Sequence, residues 1–360
     1  MNDARLRDPT FAGGRLIVAG FHGTTPPPEV EEAVSAGEVG GLIYFARNIE
    51  GPDQVAAMTA RLQALAPWPL FIAIDQEGGA VQRLRAPFTV FPPMARVGVA
   101  GEEALAESVG RVLARELRTV GVNWNYAPVL DVDTNPQNPV IGTRAFGCTP
   151  ELVARLGVAL ARGLEAEGVL SCAKHFPGHG DTREDSHHTL PVLPHALERL
   201  RRVELPPFAA YARAGLASVM TAHVLFPALD ADRPATLAPS ILSLLRGELA
   251  FEGLIVSDDL EMKAVAAHHE VEAMVEQGLV AGVDVFLVCS DFARVRRASA
   301  TVRALAPKSA LLGERIAASL ARVASTIARF ELPHAIPAKA ERDAVLGCAA
   351  HARVLAEIPD

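Results

Sequence analysis

Val169–Phe176 reads VLSCAKHF, and the residues before it, Pro150–Glu167, read PELVARLGVALARGLEAE. The first is a short continuous apolar run with its charge at the end. The second repeats apolar residues three and four apart. Parallel strands buried on both faces are written as continuous runs, and helices lying on them carry a period near 3.6. Working outward in both directions, the same kind of run recurs at Arg15–Phe21, Gly41–Ala46, Leu70–Asp75, Val122–Pro128, Ser218–Val224, Gly253–Asp259 and Asp284–Ser290, with helical stretches such as Glu103–Val120 and Ala310–Arg329 following them. Eight such units predict an α/β fold, a (β/α)8 TIM-type barrel, for which about 250 residues is typical. An open doubly wound sheet also alternates strand and helix, but it usually carries a glycine-rich first turn, and none follows Phe21. The extra length falls in the termini and in two loops, Asp131–Gly147 and Pro177–Pro191. We expect a single domain, residues 1–330, with 331–360 as a short helical appendage packed on the barrel.

Composition narrows the partners. The 360 residues hold 34 Lys+Arg against 42 Asp+Glu, a formal net charge of −8, with no basic block to suit nucleic acid or an anionic membrane. Half the chain is hydrophobic, enough for a large core. The cysteines, Cys148, Cys172, Cys289 and Cys348, show no C-x-x-C spacing and so neither a disulfide framework nor a zinc knuckle. The opening MNDARLRDPT has no apolar stretch, and no run approaches the 18 or so residues of a membrane span. These features lead us to expect a cytoplasmic monomer with no nucleic-acid or membrane partner.

In a barrel of this kind chemistry sits at the carboxyl ends of the strands, and the polar residues collect there. The third run ends in Asp75 and leads into Gln76-Glu77-Gly78-Gly79, with Arg83 beyond. The fourth carries Asn125 and leads to Asp131, Asp133 and Arg144. The fifth ends in Lys174-His175, the sixth in His223 and the seventh in Asp258-Asp259. A lone Asp at a strand end more often caps a helix, but convergence from five strands is harder to explain that way. A Lys beside a His at a buried strand end is costly unless an anionic or polar group meets it.

The stretch Lys174–His188, KHFPGHGDTREDSHH, sits in a region holding six of the eleven histidines, so a metal centre has to be weighed. His175 and His179 are four apart, but Pro177 and two glycines prevent the helix that would align them, and the usual zinc-hydrolase spacings are missing. Ser171-Cys172-Ala173-Lys174 matches S-x-x-K by letters only, since it lies in an apolar strand. The loop reads equally as a surface Asp–His contact or as an acid/base device. In the second reading Asp185, two residues from His187, orients the ring and stabilises its charged form.

Three blocks carry a resemblance. They are Ile74-Asp75-Gln76-Glu77-Gly78-Gly79 with Val81-Gln82-Arg83, then Lys174–Gly180 with Asp185-Ser186-His187, then Ser257-Asp258-Asp259-Leu260. In this order they resemble the signature blocks of glycoside hydrolase family 3, in its β-N-acetylglucosaminidase branch of bacterial peptidoglycan recycling, over about Leu16–Leu287. The one departure is Ala80, where the family often has Arg. The resemblance implies Asp258 as nucleophile, His187 as acid/base and Asp185 as its dyad partner. It implies that Asp75, Arg83, Arg144, Lys174 and His175 bind the sugar, with no metal and no cofactor. The implied partner is a glycan or muropeptide ending in N-acetylglucosamine. Such a pair suits a retaining double displacement, and histidine titrates where it can serve both half-reactions. The rivals are a family-3 phosphorylase or β-glucosidase and, from another class, a metal-dependent hydrolase using His175, His179, His223 and Asp258.

Overall fold

The computed structural model describes residues 8–186 and 189–359. Eight parallel strands close a barrel in chain order: β1 (Ile17–Ala19), β2 (Gly41–Tyr44), β3 (Phe71–Ile74), β4 (Trp124–Asn125), β5 (Leu170–Phe176), β6 (Ser218–Thr221), β7 (Leu254–Asp259) and β8 (Val285–Val288). β8 returns to β1, Phe286 opposite Ile17 and Leu287 opposite Val18. All eight expected strands are present, each shortened at one or both ends, and the fold is the (β/α)8 barrel.

β4 is the most trimmed, and its asparagines explain why. Asn123 Oδ1 accepts from the Ile72 N–H (2.8 Å) and its Nδ2 donates to the Leu70 carbonyl (3.0 Å). Asn125 does the same to both backbone groups of Gln76, each at 3.0 Å. Side chains thus replace part of the ladder, and the polypeptide leaving β3 is held where it enters the site. The interior is filled rather than open. Trp124 is fully buried, its Nε1 donates to Ser218 Oγ at 2.9 Å, and its ring meets Phe71 and Tyr126 at centroid distances of 5.0 and 5.2 Å. Any ligand space therefore lies above this layer.

Two long helices, α1 (Glu103–Thr119) and α2 (Pro150–Ala166), cross closely on the outside. A Cβ on Gly110 would stand 2.1 Å from the Leu160 carbonyl oxygen, and one on Gly163 2.1 Å from that of Glu107, so the crossing requires glycine on both partners. Among the described residues no helix is long and apolar enough to cross a membrane. Beyond the helix Ala310–Arg329, two short helices, Lys339–Val345 and Ala349–Ala356, lie against α1. Arg342 and Lys339 of the first pair with Asp53 of the helix Pro52–Leu65. One element has no counterpart in the sequence reading: after β3 the chain forms a small antiparallel ribbon, Gln76–Gly78 with Val81–Gln82.

Candidate active site

At the carboxyl ends of the strands lies a cavity of about 260 Å³. Among its lining residues are Asp75, Arg83, Tyr126, Arg144, Lys174, His175, Asp258 and Asp259. On one side of it Asp75, Arg83, Arg144 and Lys174 form a charged wall, backed by the buried carboxylate of Glu77. Asp75, at the end of β3, accepts from Lys174 Nζ at 2.8 Å and from Arg83 Nη2 at 3.3 Å. Glu77, in the ribbon, is 3% exposed and takes the Arg144 guanidinium as a fork, Nε at 2.9 Å and Nη2 at 2.8 Å. Lys174 Nζ lies 2.6 Å from the same Glu77 carboxylate. A planar fork on a carboxylate fixes the guanidinium in direction as well as place.

The charges survive burial because they are paired. Burial raises both carboxyl groups, yet Lys174 and Arg83 hold Asp75 well below the carboxylate range, and Arg144 and Lys174 hold Glu77 below it. Burial alone would lower Lys174, but Asp75 and Glu77 together raise it. Asp75, Glu77 and Lys174 are therefore charged at neutral pH. Some of its donors remain uncommitted: the buried Arg83 Nε and Tyr126 hydroxyl have no hydrogen-bond partner among the described residues. A buried polar group left so costs about 1–3 kcal/mol, which a ligand at this wall can recover.

The histidines divide by partner. His175 donates from Nδ1 to the buried Asp131 at 2.6 Å, and Asp131 also accepts from the His179 N–H at 2.6 Å. Burial first, and the neighbouring His175 second, bring His179 down to about 4, so it is neutral at pH 7. Its ring nitrogens meet the hydroxyls of Thr182 (2.8 Å) and Ser186 (3.1 Å). His223, lowered by burial, lies between Thr236 Oγ and the Asp259 carbonyl, at 2.8 and 3.0 Å. With both nitrogens of His179 and of His223 engaged, neither ring is free to serve the metal-hydrolase reading.

Asp258 faces the cavity from β7, with its Oδ1 accepting the Asp259 N–H at 2.8 Å. Asp259 is a different group: burial pushes it up to about 7, and its Oδ1 accepts from the N–H groups of Glu261 and Cys289 at 3.0 and 3.2 Å.

Of the residues named from sequence, Asp75, Arg83, Arg144, Lys174, His175 and Asp258 come together around this one cavity. Asp185 is described and its carbonyl accepts from the Thr189 N–H at 3.0 Å, while Ser186 beside it reaches the cavity. His187 lies outside the described residues. Sequence reading assigned no role to Glu77, Asp131 or Tyr126. Glu77 stood inside a quoted block, but its significance rests on Arg144, which is remote in the chain.

The fold and this pocket define a (β/α)8 barrel with a small, charged cavity at the carboxyl ends of its strands. The Glycosyl hydrolase family 3 N terminal domain matches residues 12–326, and the chain belongs to that family. It is 42% identical over 284 residues to a Beta-hexosaminidase of Pseudomonas aeruginosa, covering 79% of this chain and 85% of that one. To Beta-hexosaminidase A of Pseudoalteromonas piscicida it is 37% identical over 364 residues, 93% of this chain but only 60% of that longer protein. Its fold matches a family 3 β-N-acetylglucosaminidase from Paenibacillus (TM-score 0.87, 41% identity, 94% of this chain and 67% of the other). It also matches NagZ from Neisseria gonorrhoeae in complex with N-trifluoroacetyl-D-glucosamine (TM-score 0.80, 32% identity, 95% and 96% covered).

Proposed function

We propose that this chain is a retaining exo-β-N-acetylglucosaminidase that removes terminal β-linked N-acetylglucosamine, acting on cell-wall muropeptides in cytoplasmic peptidoglycan recycling. The observation that carries the chemistry is the placement of Asp258 across one small cavity from an ionised wall with uncommitted donors. About 260 Å³ falls below the range of pockets for drug-sized ligands, which favours a single sugar ring and hence attack at a chain end. The names of the relatives supply the acetamido sugar.

In this reading Asp75 accepts hydroxyl protons while Lys174, Arg83 and Arg144 donate to sugar oxygens and the acetamido carbonyl. Asp258 attacks the anomeric carbon as the bond to the leaving oxygen breaks, and His187, oriented by Asp185, gives that oxygen its proton. The product is a covalent glycosyl–Asp258 ester. His187, now neutral, takes a proton from water, which attacks the same carbon and frees Asp258 with net retention. The two supports for the Asp185–His187 role are the family blocks and the nearness of Ser186 to the cavity.

The test is turnover of an aryl N-acetyl-β-glucosaminide beside the matching β-glucoside, in phosphate and in a non-nucleophilic buffer, with Asp258→Ala as control. Preference for the acetamido sugar, lost in the variant, is expected. Equal turnover of the glucoside would return the β-glucosidase reading, and a sugar phosphate product would return phosphorolysis. Release of N-acetylglucosamine from isolated muropeptides tests the natural substrate, and failure there with the aryl sugar still cleaved would move the enzyme to another glycan.

A further inference from the structure

The matched family domain ends at residue 326, yet the helices after it reach a carboxylate that supports the pocket. Glu116 of α1 is 3% exposed and saturated with donors. Its Oε2 accepts from the Thr89 N–H (2.7 Å), and its Oε1 from the Thr89 hydroxyl (2.7 Å), the Gly347 N–H (2.9 Å) and His351 Nδ1 (2.8 Å). Two donors thus come from the turn 83–91 and two from the C-terminal segment. Within the turn, Gln82 Nε2 donates to the carbonyls of Thr89 (2.9 Å) and Leu84 (3.0 Å), and its Oε1 accepts from the Phe91 N–H (3.1 Å). Arg83 is the next residue, its own N–H fixed on Gln76 Oε1 at 2.9 Å. A second contact runs alongside: Gly347 sits at φ +56, and a Cβ there would stand 2.6 Å from the Pro87 carbonyl oxygen.

We propose that the C-terminal segment is a clamp that positions Arg83. His351 and Gly347 hold Glu116, Glu116 holds both polar groups of Thr89, and Thr89 with Gln82 sets the turn from which the guanidinium reaches Asp75 and the cavity. Its functional half rests on Arg83 being a sugar-binding residue, as set out under Proposed function. The same segment supplies its own control. Arg342 and Lys339 pair with Asp53 on the helix Pro52–Leu65, side-chain contacts that touch neither Glu116 nor Thr89. Merely gluing the segment down is a role both side-chain contacts share; of the two, only that of His351 bears on Glu116 and so on Arg83.

The experiment compares His351→Ala, His351→Asn and Arg342→Ala in the full chain, well below the melting temperature, by amide hydrogen exchange over residues 82–91 and by KM and kcat on an aryl N-acetyl-β-glucosaminide. Asn keeps an N–H donor where Nδ1 was. His351→Ala is expected to speed exchange at Thr89 and Arg83 and to raise KM by about threefold to tenfold, with kcat within about twofold. His351→Asn is expected to restore both, and Arg342→Ala to lower the melting temperature while leaving both untouched. Unchanged exchange in His351→Ala overturns the clamp. Faster exchange with unchanged KM overturns its link to the pocket, as does an equal KM change in Arg342→Ala. Absence of turnover in the wild type would strike the activity reading instead, and exchange alone would then decide the clamp.

Discussion

Two buried carboxylates, at opposite ends of the barrel, each hold two cations. At the amino end Asp284, 1% exposed and just before β8, accepts from Arg246, from Arg322 Nη1 (2.9 Å), from Ser319 Oγ (2.7 Å) and from the Ile255 N–H (2.9 Å). At the carboxyl end Glu77 holds Arg144 and Lys174. The hollow beside Asp284 is the larger, about 630 Å³ against about 260 Å³. What separates them is the use of the donors. Arg246 Nη1 donates to the carbonyls of Phe251 and Gly253, both at 2.7 Å, so the side chain is a bolt between the segments that enter β7 and β8. At the mouth a second carboxylate, Asp75, shares Lys174, and Arg83 Nε is left without a partner among the described residues. The cations respond oppositely: burial brings Arg246 down to about 10 despite Asp284, whereas Asp75 and Glu77 outweigh burial and raise Lys174. Size and a buried ion pair are therefore poor guides to a site; what sets the mouth apart is that residues with uncommitted donors, Arg83 and Tyr126, line its cavity.

The comparison breaks or sharpens under substitution. The largest effect belongs to Asp258: Asp258→Asn is expected to cut kcat by more than about 10³-fold with the melting temperature little changed, since both half-reactions need that carboxylate. Steady-state kinetics beside a thermal melt decides it, and near-wild-type turnover would remove Asp258 as nucleophile. Next comes Asp284→Asn, which leaves two cations without a charged partner and is expected to cost roughly 3 kcal/mol of stability with KM unchanged. Urea unfolding measures the first and kinetics at low temperature the second. Glu77→Gln is the mirror image: KM for the aryl glycoside is expected to rise by about 10- to 100-fold as Arg144 and Lys174 lose their common anchor, with a smaller stability loss than at Asp284. If Glu77→Gln altered only stability, or Asp284→Asn altered KM, the two ends would not differ as described.

The amino end was nearly illegible in the sequence, and the mouth was not. Eight apolar runs gave the barrel because buried parallel strands have a composition of their own. The polar residues at their ends were then placed on one rim by topology, without any knowledge of contacts. The ribbon Gln76–Gly78 with Val81–Gln82 escaped because its strands are too short to show an alternation and its turn is held by glutamine side chains rather than by a pattern. The roles of Glu77, Asp131 and Glu116 escaped for another reason: each matters through partners far off in the chain, Arg144, His175 and His351, and nothing local marks a carboxylate that will be so engaged. The Asp131 carboxyl, held below its usual range despite burial by the His175 ring, is the clearest of these, since it fixes two histidines from a loop.

The smallest predicted effect concerns the second member of the pair at the end of β7. Asp259, next to Asp258, is pushed up to about 7, by burial first and then by the nearby Glu261 and Asp258 charges. Unfolded, it should titrate near 3.9. Between these values the folded chain holds a proton that the unfolded chain has released, so this group's contribution to stability falls as pH rises from about 4 through about 7. His179 works the other way, because its folded value of about 4 lies below the ordinary 6.5 and its contribution is lost as pH falls through that window. Wild-type stability is the sum of both, which is why the difference from a variant is the quantity to measure. Asp259→Asn removes one slope only. Its stability relative to wild type is expected to rise by on the order of 2 kcal/mol between pH 5 and pH 8, read from urea unfolding of both proteins at the two pH values. A difference that does not change with pH would mean that Asp259 is ionised across the range, like the carboxylates of the opposite wall.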